Sequence, residues 1–202
     1  MEEGAASLIV RELQRLLERI YRLGAQPPIE HFLISAADLR SWLPEGADPK
    51  PQILIQEADG EVFLAVHLAP EGLEPKNLAD FLSAAEETSH FVYLLWRAAN
   101  EKPVSLLDLE LQGEIDKFLL ASAYFDGESD LFARIFGKFS WLGKLSEEAK
   151  ARYAEAQRLG GKFVRSLGAI AGGVGPTPGI LRSLREFYRL GSQKRVASLA
   201  RP

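Results

Sequence analysis

Residues 52–68 read QILIQEADGEVFLAVHL, and this stretch decides the fold class. Two β-rich runs flank Asp59-Gly60, a pair that supplies the positive φ angles of a two-residue hairpin turn. With the turn there, Ala58 lies opposite Glu61, Ile55 opposite Leu64 and Ile53 opposite Val66. Ile53, Ile55, Leu64 and Val66, with Val62 and Leu68, predict one apolar face. Gln52, Leu54, Gln56, Phe63 and His67 fall on the other face, which reads as partly wet. Two strands alone are marginal, so HFLIS at 31–35 is expected to add a third.

On both sides of the hairpin the pattern is helical. Leu8, Ile9, Leu13, Leu16, Leu17 and Ile20 recur at helical spacing across 5–23, with Arg11, Arg15, Arg19 and Arg22 on another face. Pro27-Pro28 closes that segment. A short helix is expected at about 37–43, ending before Pro44. Further helices are expected near 77–99, 105–125, 129–137, 146–168 and 179–199. Ser105 and Ser146 stand at the N-cap positions of two of them, and AGGVGPTPG at 171–179 reads as a Gly/Pro hinge. The fold class is therefore α+β: a small antiparallel sheet (the hairpin plus a strand near 31–35) followed by a mainly helical bundle.

The 202 residues suit one large domain or a domain with a helical appendage. With 47 % apolar residues the chain can bury a proper core. It contains no cysteine, which excludes disulfides, thiolate zinc sites and cysteine nucleophiles. An acidic start running straight into an amphipathic segment does not read as a signal peptide. The expected location is cytoplasmic and a membrane is not an expected partner. Net charge is −4, yet residues 1–130 hold 10 Lys/Arg against 24 Asp/Glu and residues 131–202 hold 14 against 4. That split divides the chain into an acidic α+β body, 1–130, and a basic helical segment, 131–202, expected to pack on it.

Most sequence motifs exclude more than they assign. The 171–179 glycines lack the Gly-Lys-Ser/Thr ending of a phosphate loop, and no strand precedes them. Glu87-x-x-His90 has the spacing of di-iron carboxylate bundles, but that chemistry needs a second such motif, and the other histidines, His31 and His67, do not supply one. There is no Gly-x-Ser-x-Gly and no His-Glu-x-x-His. The sequence implies no cofactor.

Two features remain. In helix 105–125, Leu107, Leu111, Ile115, Phe118 and Phe125 form one apolar arc and Leu106, Leu109, Leu120 and Tyr124 another, with Glu110, Glu114 and Lys117 running between them. A helix apolar on both sides of a charged stripe packs on both sides, so the charges are buried and need partners. Lys117 can serve one glutamate, and Arg97 or His90 of the preceding helix the other, with Glu86 one turn from His90. Glu86, His90, Arg97, Glu110, Glu114 and Lys117 are thus a candidate polar network, metal site or acid/base site.

The second feature is a pair of basic stripes. Arg158, Lys162 and Arg165 lie on one C-terminal helix and Arg182, Arg185 and Arg189 on the next, after a segment mixing Phe136, Phe139 and Trp141 with Arg134, Lys138 and Lys144. Such stripes suit a polyanion, or else dock on the acidic body.

The reading favoured by the sequence is a non-enzymatic interaction or assembly module whose amphipathic helices meet a protein partner or a second copy. The alternatives are nucleic-acid or other polyanion binding through the basic stripes, and a carboxylate-based metal or hydrolytic site near Glu110 and Glu114.

Overall fold

Strands β1 (Gln52–Ala58) and β2 (Glu61–His67) pair antiparallel, with Ile53 opposite Val66, Ile55 opposite Leu64 and Ala58 opposite Glu61. The computed structural model describes residues 5–44, 49–58, 61–68, 77–125, 130–137, 145–168 and 176–200. The expected turn residues Asp59 and Gly60 lie outside these. Burial is graded along the hairpin. Val66, His67 and Leu68 at its root are buried, Ile53 and Leu64 half-buried, while Ile55 is 54 % exposed and Phe63 53 %. Ile55 therefore does not face the core as the alternation alone predicts, because the helical layer covers only the root.

The expected third strand near 31–35 is mostly a 3-10 turn, Ile29–Phe32, and adds one parallel bridge from Leu33 to Val66. The cause lies in the first helix, α1 (Ala5–Tyr21). Its Gln14 side chain accepts from the Ile29 N–H at 2.8 Å and donates to the Pro27 carbonyl at 3.1 Å, tying the segment to the helix. The Ile34 N–H donates to the Val66 carbonyl, and the Ile34 carbonyl lies 3.1 Å from His67 Nδ1. That contact buries His67, which strand alternation alone assigned to the wet face.

The remaining helices are α2 (Ala36–Arg40), α3 (Leu78–Ala99), α4 (Leu106–Tyr124), α5 (Leu131–Phe136), α6 (Glu147–Ser166), α7 (Pro178–Arg189) and α8 (Ser192–Ala200). Side chains of Asn77, Ser105, Ser146 and Thr177 cap α3, α4, α6 and α7 by accepting first-turn N–H groups that lack an intrahelical partner. The single helix expected over 179–199 is two, since Leu190 takes an extended conformation before Gly191. Of the expected 171–179 hinge, 171–175 lie outside the described residues, and Pro178 and Gly179 already belong to α7. No described helix is long and apolar enough to cross a membrane.

Helix α4 is central. It packs against α3 on one side and α6 on the other, and Asp108 to Asp116 are all buried. Helix α1 lies against α3, and α7 against α1. The apolar faces of the terminal helices are used in this packing: Val10, Leu13 and Leu17 of α1 and Leu184, Phe187 and Tyr188 of α7 are buried.

A polar chain runs through this core. Asp116 accepts from Tyr21 Oη and, at 2.6 Å, from Ser89 Oγ. The Gln112 amide donates to Tyr21 Oη at 2.9 Å and its carbonyl accepts from Arg195. Arg195 also donates to Asp108 at 2.6 Å and to Tyr93 Oη, and Tyr93 and Ser192 both donate to Asp108. Asp108 and Arg195 have no exposed surface. The chain joins α1, α3, α4 and α8, and each carboxylate in it is hydrogen-bonded on both oxygens, the condition under which a buried polar network is tolerated.

Candidate functional site

The charged stripe of α4 faces two other helices at one level of the bundle. Two glycines set that level. A Cβ on Gly113 would stand 2.9 Å from His90 Nε2 and 3.6 Å from Glu86 Cγ, so α3 reaches α4 closely only because Gly113 has none. A Cβ on Gly160 of α6 would stand 3.0 Å from Glu114 Cβ. At this level α3 contributes Glu86, Glu87 and His90, α4 contributes Glu110, Glu114 and Lys117, and α6 contributes Arg152 and Tyr153.

One half of the cluster is closed. Lys117 Nζ donates to Glu114 at 2.7 Å and to Glu86 at 3.0 Å, relieving the like charges that α4 alone would carry one turn apart. Burial opposes the charge on Glu86, yet Lys117 and then His90 outweigh it and hold Glu86 below the usual carboxylate range. Burial likewise disfavours the charged Lys117, but Glu86 and Glu114 reverse the effect and raise it. Glu114 is raised, chiefly by burial.

The other half is open. His90 Nδ1 lies 3.8 Å from Glu87, His90 Nε2 lies 3.7 Å from Glu110, and Arg152 Nε lies 3.7 Å from Glu110. These distances permit ion pairing but exceed direct hydrogen bonds. His90 Nε2, Glu110 Oε2, Glu87 Oε2 and Arg152 Nε are buried atoms without a hydrogen-bond partner among the described residues. Burial lowers the His90 pKa, but Glu87, Glu86 and Glu110 together drive it up to about 9. Burial pushes Glu110 up to about 7 against the pull of His90, Arg152 and Tyr153. One donor atom from each of Glu86, His90 and Glu110 lies within 4.8 Å of the others. His90 and Glu110 are buried, whereas the side chains of Glu86 and Arg152 keep 23 % and 21 % exposure and leave a way in.

Of the six residues singled out in the sequence, five meet here and one does not. Arg97 lies at the far end of α3, donating to the Leu190 and Pro103 carbonyls and to Ser192 Oγ. Arg152 and Tyr153 were not anticipated. Nothing in the local pattern places either residue over α4.

No family model matches this chain, and no curated protein or solved structure matches it.

The cations of the basic stripes divide between docking on α1 and other surroundings. Arg185 Nε donates to the Ile20 carbonyl at 2.7 Å, and Arg189 donates to the carbonyls of Tyr21, at 2.9 Å, and Arg22. They close the C-terminus of α1, where carbonyls lack partners and cations are favoured. Arg158 forms a double hydrogen bond with Glu155 one turn away. Arg165 lies over the Phe132 ring, Lys162 has a partner, and Arg182 is exposed. Phe136 packs against Phe118 and Phe132, while Lys138, Phe139, Trp141 and Lys144 lie outside the described residues.

Proposed function

We propose that the protein binds a divalent transition-metal ion through Glu86, His90 and Glu110 between α3 and α4. The observation that carries this reading is the set of buried, unpartnered atoms turned toward one another, above all His90 Nε2 and Glu110 Oε2. Two ligands on a tetrahedral zinc lie about 3.4 Å apart, given metal–ligand distances near 2.1 Å. The observed 3.7 Å needs only a small contraction. One imidazole with two carboxylates suits zinc, manganese or iron(II), and the imidazole disfavours calcium and magnesium. Three protein ligands leave a position for water, the arrangement that supports Lewis-acid or hydrolytic chemistry. Arg152 and Tyr153 border it, Arg152 able to bind a substrate anion and Tyr153 holding Glu110 by a hydrogen bond.

Charge also supports the reading. Four glutamates face Lys117 and Arg152, and a divalent ion beside a neutral His90 balances them.

The interaction reading rests on the amphipathic terminal helices, whose apolar faces are turned into the protein's own core. The polyanion reading rests on stripes of which two arginines are spent on α1.

The test is metal content of the purified protein, followed by calorimetric titration of apo-protein with zinc and manganese. Wild type should take up about one equivalent, and His90→Ala and Glu110→Gln should each bind at least tenfold more weakly, the scale on which removing even a supporting group acts. Uptake unchanged in both variants, or none in wild type, refutes the site and leaves an ion-pair network.

A further inference from the structure

A concave site lies at the C-terminal end of α3, and neither Glu86, His90 nor Glu110 lines it. A cleft of about 650 Å³ opens between the α3–α4 connection and the start of α8, walled by Arg97, Lys102, Val104, Ser105, Gln193 and Lys194 among others. Three of its wall residues are cations, and no acidic side chain among the described residues lines it. Asp108, 3.9 Å from the Arg97 guanidinium, is occupied by Arg195 at 2.6 Å and by Tyr93 and Ser192. Arg97 forms the floor. It is 1 % exposed, its terminal nitrogens are taken by Leu190, Pro103 and Ser192, and its Nε has no partner among the described residues. A buried guanidinium 3.9 Å from its closest carboxylate is under-compensated.

Two helix ends add to the same field. Ser105 begins α4, and Ser192, Gln193 and Lys194 are the first turn of α8, whose first intrahelical bond is made by the Arg195 N–H to the Gly191 carbonyl. N–H groups ahead of that bond, with the positive end of the helix dipole, favour an anion. The rest of the wall is apolar: Pro103, Val104 and the aliphatic stem of Lys102, whose ammonium lies over the Trp96 ring and donates one of its three hydrogens to the Arg189 carbonyl at 3.1 Å. Lys194 is exposed and free to swing toward a ligand.

We propose that this cleft binds a small organic phosphate, its phosphoryl group at the start of α8 between Lys102 and Lys194 and its apolar body against Pro103 and Val104. The volume decides against a bare inorganic ion, because clefts of roughly 300–1,000 Å³ hold molecules of metabolite size. The cations supply the affinity, and the apolar wall separates an organic phosphate from free phosphate.

The experiment is an amide-resolved NMR titration of the full chain with phenyl phosphate, inorganic phosphate and phenol in parallel. Saturable shifts with phenyl phosphate, centred on the amides of Val104, Ser105, Ser192, Gln193 and Lys194, are expected. Phenol and inorganic phosphate should each bind at least several-fold more weakly. Lys194→Glu should weaken phenyl phosphate on the order of tenfold and Lys194→Met by less, since a charge-assisted contact is lost in both and repulsion is added in the first. Because Lys194 is exposed, both variants keep the wild-type amide spectrum elsewhere. No saturable shift, shifts centred on other basic surfaces, inorganic phosphate binding as tightly as phenyl phosphate, or Lys194→Glu binding as wild type would each overturn the assignment.

Discussion

Replacing Arg195 by Met gives the sharpest test of what holds the helices together. Arg195 has no exposed surface and donates to Asp108, Tyr93 and Gln112, while its guanidinium lies 4.5 Å from the Phe187 ring centroid and 5.1 Å from that of Tyr93. Methionine fills much of the same space and keeps the ring contacts, so the loss is mainly polar. Asp108 keeps its hydroxyl donors Tyr93 and Ser192 but loses the cation 2.6 Å away, and the Gln112 carbonyl loses its donor. Removing one partner of a buried ion pair costs about 3–5 kcal/mol. For a chain of this size that corresponds to a fall in Tm of roughly 6–20 °C. The assay is urea denaturation followed by circular dichroism, run beside Arg195→Met/Asp108→Asn. The double variant removes the stranded charge as well, so it should recover part of the loss. A single variant within about 1 kcal/mol of wild type, or a double variant no better than the single, would refute the claim that this network locks α8 onto α3 and α4.

Gly113→Ala should destabilise the fold despite the helix propensity it gains, because overpacking of about 1–3 kcal/mol exceeds a gain of about 1 kcal/mol; an unchanged urea midpoint would mean that the His90 ring moves aside freely. Burial raises Asp116 to about 6 even though Ser89, Tyr21 and Gln112 oppose it. A raised folded pKa favours the fold below the unfolded value near 4 and loses that advantage as pH climbs through 6. Wild type should therefore fall by about 2 kcal/mol relative to Asp116→Asn between pH 4 and pH 7, and a pH-independent difference in urea stability would contradict this. Arg185→Gln and Arg189→Gln should each cost about 1 kcal/mol by uncapping α1, whereas Arg158→Gln, in an exposed pair with Glu155, should stay within about 0.5 kcal/mol; equal losses at all three sites in thermal melts would contradict the assignment.

Local sequence carried the fold class and most helix boundaries, because Asp59-Gly60 between β-rich runs and Ser or Thr before helical periods are short-range signals. It also carried the central burial of α4, since two apolar arcs around a charged stripe have one physical solution. What local sequence could not carry was tertiary. The tie from Gln14 to Ile29 turned an expected strand into a 3-10 turn. The chain from Ser89 to Asp108 draws on side chains as far apart as Tyr21 and Arg195, which no local pattern connects. Gly113 and Gly160 carry no local signal of the close helix approach for the same reason, since a helical glycine acquires meaning only when its neighbour is known.

The two buried polar clusters carry different implications because they differ in completeness. Around Asp108 and Asp116 each carboxylate oxygen is hydrogen-bonded, and four helices are held in one arrangement; a further ligand there would have to break bonds worth more than it could supply. Around His90 and Glu110 the groups stand 3.7–3.8 Å apart, with buried atoms left unpaired. An unpaired buried polar atom costs about 1–3 kcal/mol, so such a cluster is a drain on stability unless something completes it. The same sequence hydrogen-bonds every carboxylate oxygen of the nearby network on α4, so helix geometry does not force the deficit at Glu110. Glu86, His90 and Glu110 are held at the spacing of a shared ligand, and Glu110→Leu tests that deficit. Removing a buried carboxylate with one unsatisfied oxygen from a purely structural cluster should raise the Tm of metal-free protein or leave it unchanged. In protein saturated with zinc the same substitution should lower Tm, because binding linked to the folded state adds RT ln(1 + [L]/Kd) to stability. A change of the same sign and size with and without zinc would remove the metal from the account.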